Sequence, residues 1–177
     1  MVGTLFSNID SLRKVIHDEF SSDTSLLKAF RSLSLDYLFN NQPDSALLTV
    51  ANGIAYAREN KYLKWEGRLL HLRAYIKEDI DQNNESSMLD LLDALEIFEL
   101  LNDKEHIKDV YIQIGIKNYY LKNYAQSVDD FKNAEKLAIE LKSSNDLGLI
   151  YKNLSASLFE LKDYKKSIHT VDKSIEI

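Results

Sequence analysis

The last third of this chain is one pattern written twice. Tyr111-Ile112-Gln113-Ile114-Gly115 is matched forty residues later by Tyr151-Lys152-Asn153-Leu154-Ser155. Lys122-Asn123-Tyr124-Ala125-Gln126-Ser127-Val128 is matched in the same way by Lys162-Asp163-Tyr164-Lys165-Lys166-Ser167-Ile168. Phe131 falls on Val171 and Ala134 on Ser174, with no gap. A fixed period of this length, with a helical apolar rhythm inside it, predicts stacked helical repeats. The same step carries Phe131 back to Leu91, Ala134 to Ala94 and Ser127 to Ser87. Further upstream, Phe30-Leu33-Ser34-Tyr37 spaces like Tyr111-Ile114-Gly115-Asn118, and Ala46, Val50 and Gly53 keep the spacing of the later helices. The second unit fits less directly. Its match, Leu69-Leu72-Arg73-Ile76, requires about two extra residues in the loop around 78–85.

Apolar residues at i, i+3, i+4 and i+7 predict helices over about 5–20, 24–39, 43–58, 62–78, 85–101, 104–121, 124–142 and 146–161, and one running from 164. Pro43 suits a first helical position, because the N–H it lacks has no helical partner there. Asp44 favours the positive end of the same helix. Asp23 or Thr24 is the expected cap of the second helix, and the 143–146 turn that of the eighth. The small residues Ser34, Gly115 and Ser155, and Ala46, Ser127 and Ser167, mark places where two helix axes cross closely. Ile177 falls inside a running helical pattern with no glycine cap, so the pattern is expected to continue in a longer chain. An exposed apolar face on that last helix is a candidate homodimer contact.

Charge and composition remove several function classes. The formal charge is −6 and no basic run appears, so nucleic acid is not an expected partner of this segment. No stretch approaches the roughly 18 apolar residues of a membrane span. The absence of cysteine excludes disulfides and thiolate zinc sites. It leaves the compartment open: cytoplasmic by default, periplasmic if the full-length chain carries a signal or an anchor.

Catalytic and metal constellations are not visible in the sequence. His17, His71, His106 and His169 have no i, i+4 partner, so they read as packed or solvated side chains. The glycines are isolated and form no phosphate loop. Asp90, Asp93, Glu96 and Glu99 lie at helical spacing and read as a solvated outer stripe, as does Asp129-Asp130. No serine sits in a nucleophile elbow. No catalytic residue, metal ligand or cofactor is expected.

The third unit's Tyr111, Ile114, Gly115, Asn118, Tyr124, Ser127, Phe131 and Ala134 resemble the tetratricopeptide repeat family, as do the fourth unit's Tyr151, Leu154, Ser155, Leu158, Tyr164, Ser167, Val171 and Ser174. The resemblance covers about residues 24–177. It departs from the family in lacking the repeat-ending proline and in a period nearer forty residues. It implies an all-α, right-handed α-solenoid of four helix pairs, over about 24–60, 61–103, 104–143 and 144–177, with residues 1–22 as an N-terminal capping segment. It also implies that the first helix of each pair, helix A, lines a concave groove. The groove-facing positions are then Arg31, Leu35, Leu38 and Phe39; Leu70, Ala74, Lys77 and Glu78; Ile112, Ile116, Tyr119 and Tyr120; and Lys152, Ala156, Phe159 and Glu160. The expected function is a non-enzymatic module binding a protein or peptide in that groove. The alternative is the sensor or regulatory region of a larger bacterial signalling protein, a histidine kinase, a cyclase or a helix-turn-helix regulator.

Overall fold

The structure is a computed structural model and describes residues 11, 13–16, 22–80 and 85–175. Eight helices follow in order: α1 (Asp23–Phe39), α2 (Pro43–Glu59), α3 (Leu63–Ile80), α4 (Glu85–Leu100), α5 (Lys104–Tyr120), α6 (Tyr124–Leu141), α7 (Ser144–Glu160) and α8 (Tyr164–Ile175). Among the described residues there is no strand, and no helix is long and apolar enough to cross a membrane. The capping helix expected over 5–20 lies outside the described residues except at 11 and 13–16, which are helical.

The helix ends explain the short turns. Asn41, Lys61, Asn102, Lys122, Lys142 and Lys162 all adopt positive φ, between 51 and 63°. The residue after each sends its N–H five residues back: Gln42 to the Tyr37 carbonyl, Asn123 to Asn118 and Asp163 to Leu158, at 2.9, 2.8 and 3.0 Å. This is the Schellman closure of a helix, usually built on glycine. Here asparagine or lysine takes the left-handed position, at a cost of about 1–2 kcal/mol each. Pro43 does open α2. One expected cap moves: Ser22, rather than Asp23 or Thr24, accepts from the Ser25 N–H at 3.3 Å. The 143–146 turn supplies the N-cap of α7 at Ser143, with Asp146 inside the first turn.

The chain divides into two compact units, Met1–Asp90 and Leu91–Ile177. In the first, α2 packs against both α1 and α3. Leu27, Val50 and Leu69 are fully buried. Gly53 lies where a Cβ would come within 2.9 Å of Phe30 and 3.1 Å of Leu69, so α2 meets α1 and α3 through a position with no side chain. Arg13 donates to the Tyr37 hydroxyl at 2.8 Å, and its guanidinium lies over the Tyr37 ring.

In the second unit α6 packs between α5 and α7, and α7 packs on α8. Phe131 is fully buried in a core with Ile112, Val128, Ala134, Ala138, Ile150, Leu154 and Leu158. Removing one such ring from water contributes about 1.5–3 kcal/mol. A Cβ on Gly115 would meet the Phe131 ring at 2.9 Å, so the glycine sets the α5–α6 approach. The Ser127 hydroxyl donates to the Gly115 carbonyl at 2.8 Å, and the Ser167 hydroxyl donates to the Ser155 carbonyl at 2.9 Å. The forty-residue period of the sequence is thus a repeated contact between paired helices.

Two expectations about acidic residues are corrected. Asp90 is buried at 3 % exposure and does not join the exposed Asp93, Glu96 and Glu99. Its carboxylate receives Arg73 through two bonds, at 2.5 and 2.9 Å, and Lys77 at 2.7 Å. Asp130, forty residues on, is also 3 % exposed and accepts from the Asn118 amide at 2.7 Å and the Gln126 amide at 3.2 Å. Helical spacing reports the angle of a residue on its helix, but not whether a cation or amide from a neighbouring helix waits there.

Candidate functional site

The expected groove residues separate into three environments. Arg31, Phe39, Tyr120, Lys152 and Phe159 are exposed. Leu35, Ile116 and Tyr119 are half-buried, with Ile116 packed against the Phe131 core. Ile112 is itself a core residue at 7 % exposure, so it supports the face from beneath and offers it no surface. The second unit of the repeat departs further: Leu70 and Ala74 are fully buried, Lys77 is held by Asp90, and Glu78 accepts from the Ser87 hydroxyl. The register chosen for that unit therefore does not yield a surface of the same kind.

The exposed aromatics are built into a repeated arrangement. Tyr119, in the last turn of α5, meets Tyr124, the first residue of α6, edge-on at 5.5 Å and 60°. Phe159, in the last turn of α7, meets Tyr164, the first residue of α8, at 5.3 Å and 61°. Tyr120 adds an edge contact to Tyr119 at 5.8 Å. Edge-to-face packing of this kind holds a ring in place while leaving part of its surface open. Burial, then the Glu160 carboxylate, then Tyr119 push the Tyr124 hydroxyl above its ordinary 10.0. The sequence showed Tyr124 and Tyr164 as repeat markers; their role as ring partners needed the turn geometry.

The described residues hold one group of three acidic side chains whose oxygens converge within 4.8 Å: Glu105, Asp109 and Asp146. A lysine ammonium already lies among them. Lys108, 1 % exposed, reaches Glu105 at 2.7 Å, Asp146 at 2.5 Å and Asp109 at 3.4 Å. Burial opposes its charge, but the bonds to Asp146 and Glu105 more than compensate and raise its pKa. Burial likewise pushes the Asp109 carboxyl up, with Lys108 pulling against it. This cluster ties α5 to α7 across 38 residues of sequence. His106 is a packed side chain, stacked on Phe98 at 4.7 Å with its Nδ1 2.9 Å from Asp103. His169 is solvated, and His17 lies outside the described residues.

With the helix order and these faces in view, the chain has a TPR-like helical repeat fold. Its similarity to BtubC (BKLC) from P. vanneervenii extends over 96 % of this chain and 69 % of that one, with a TM-score of 0.84 and 18 % identity. The nearly identical TPR-like repeats of a Podosopora anserina protein described as a kinesin light chain align over 98 % of this chain and 87 % of theirs, with a TM-score of 0.75 and 12 % identity. A single-substitution variant of that protein gives 0.76 at the same identity. No family model matches the sequence, and no curated protein matches it.

Proposed function

We propose that this chain is a non-enzymatic protein- or peptide-binding module, a scaffold or adaptor that presents the helix A faces to a ligand. The observation that carries this reading is the aromatic pair repeated forty residues apart, Tyr119 on Tyr124 and Phe159 on Tyr164. Tyr120 is 52 % exposed, Phe159 58 % and Phe39 74 %. Large apolar rings are costly to leave in water, and rings already held by a neighbour lose little freedom on binding. Tyr119, Tyr120 and Phe159 are the anchors on residues 91–177, with Lys152 as a cation beside them and Ile116 as apolar backing. On residues 1–90 the matching set is Arg31, Leu35 and Phe39. The ligand is an extended peptide, a helix or a partner domain.

The test is capture of a binding partner by the wild-type chain and by Tyr119→Ala/Tyr120→Ala, with circular dichroism to establish that both fold. A partner held by the wild type and lost by the folded variant supports the reading. A partner retained equally by both contradicts it.

A further inference from the structure

The forty-residue translation that relates α4 to α6 shows where α4 departs from an ordinary solvated face. Residues 91–100 and 131–140 alternate between buried and exposed in the same order. Leu91, Ala94 and Phe98 are fully buried, as are their counterparts Phe131, Ala134 and Ala138. On the opposite side α6 carries Asp129, Lys132, Lys136 and Glu140, charges of both signs that suit water. The matching positions of α4 are Leu89, Leu92, Glu96 and Leu100, at i, i+3, i+7 and i+11. Those three leucines are 64, 48 and 74 % exposed. The fold does not require leucine there, since charged residues occupy the counterpart positions. Asp93 and Glu99 flank the stripe, and α4 contains no lysine, arginine or histidine. Arg73 and Lys77 of the preceding helix are directed to the buried Asp90, on another side of α4.

We infer that this face of α4 docks a cationic amphipathic α-helix of a partner polypeptide, with leucine-like side chains along one side and lysine or arginine flanking them. Leu89 to Leu100 spans about 16 Å at the helical rise, which is about three turns of such a helix. The partner's apolar side covers the leucines, and its cations meet Asp93, Glu96 and Glu99. Charge selects this occupant. A second copy would set the carboxylates of two α4 helices against each other, in a chain whose net charge is −6. An anionic membrane or a nucleic acid meets the same repulsion. Further repeats stack on the ends of an array, so a continuation of the chain does not cover a helix that has repeats on both sides of it in the sequence. This face shares no residue with the aromatic helix A faces, and either can fail without the other.

The experiment titrates the full chain into a labelled model peptide of two leucine–lysine heptads, followed by fluorescence anisotropy at about 0.15 M salt, where long-range attraction is screened. Saturable binding is expected. Leu92→Lys/Leu100→Glu gives α4 the residues of α6 without changing the net charge, and weakens binding at least about tenfold. Glu96→Lys weakens it at least about fivefold, whereas Asp129→Lys, the same charge change on α6, alters it less than about twofold. Tyr120→Ala/Phe159→Ala binds as the wild type does. All these positions are exposed, and circular dichroism checks that the variants remain helical. No saturable binding by the wild type, equal binding by Leu92→Lys/Leu100→Glu, or equal effects of Glu96→Lys and Asp129→Lys overturns the inference. Loss of binding in Tyr120→Ala/Phe159→Ala also overturns it, by moving the peptide to the helix A faces. So does a dimer of the chain alone in sedimentation that Leu92→Lys/Leu100→Glu dissolves, which would make a second copy the occupant.

Discussion

Ser127 donates its hydroxyl to the carbonyl of Gly115 across 2.8 Å, binding the first and second helices of a pair at the point where they come closest. The approach depends on what Gly115 lacks. A methyl group there would lie 2.9–3.0 Å from three atoms of the Phe131 ring, and that ring is fully buried. Gly148, on α7, has nothing within 4 Å of the same imagined Cβ.

Gly115→Ala and Gly148→Ala are therefore expected to move stability in opposite directions. Overpacking costs about 1–3 kcal/mol, against a helix-propensity gain of about 1 kcal/mol, so Gly115→Ala loses about 1 kcal/mol. Gly148→Ala keeps the propensity gain and stabilises by about 0.5–1 kcal/mol. Urea unfolding midpoints at unchanged slope measure both. Equal shifts for the two variants would remove close packing as the reason for Gly115.

The left-handed lysines give a second prediction. Lys122 and Lys162 hold φ of 63 and 62° at the ends of α5 and α7. Glycine removes the steric cost, although it loses more freedom on folding. Lys122→Gly and Lys162→Gly are each expected to stabilise by about 0.5–1 kcal/mol, and additively in the double variant. Thermal unfolding checks this; destabilisation by either would mean that the lysine side chain contributes more than its backbone costs.

Lys108 joins α5 to α7 through three carboxylates. Lys108→Met leaves those carboxylates facing one another without their cation. A loss of about 2 kcal/mol is expected, below the full value for a buried pair because Glu105 and Asp146 are partly solvated. Chemical denaturation measures it. A neutral result would make the cluster incidental to stability.

The fold was legible because its signals are periodic. The forty-residue step, the small residues at helix crossings and Pro43 at a helix start each have a local cause that a sequence displays. The helix boundaries followed from them within a few residues. What was not legible depends on partners distant in sequence. Asp90 looks solvated until Arg73 and Lys77 of the preceding helix are placed beside it. Lys108 looks like a surface lysine until Asp146 arrives from 38 residues away. Ile112 satisfied a spacing rule for a surface position, yet α6 and α7 close over it. Four of the six turns place lysine at the left-handed position where glycine or asparagine is the usual signal, so no residue type announced those four.

Asp130 predicts a pH dependence with a definite sign. Burial holds its carboxyl above the ordinary 3.8, against the Asn118 and Gln126 amides that favour the ionised form. As pH rises past that value the unfolded chain releases the proton first, so native stability falls until the folded pKa is passed. The stability of the wild type relative to Asp130→Asn should therefore decrease from pH 3 upward and then level off. Urea unfolding of both proteins across that range checks it. A wild-type advantage that grows with pH would contradict the assignment of burial as the dominant cause.

The central claim is that the exposed aromatics of the helix A faces bind the ligand. The most direct measurement is the affinity of a captured partner for Tyr120→Ala/Phe159→Ala and for the control Leu48→Ala/Ile139→Ala, whose side chains are exposed on α2 and α6. The account predicts a loss of about tenfold or more for the aromatic pair and less than about twofold for the control. Equal affinities for both variants, or a larger loss for the control, would contradict it.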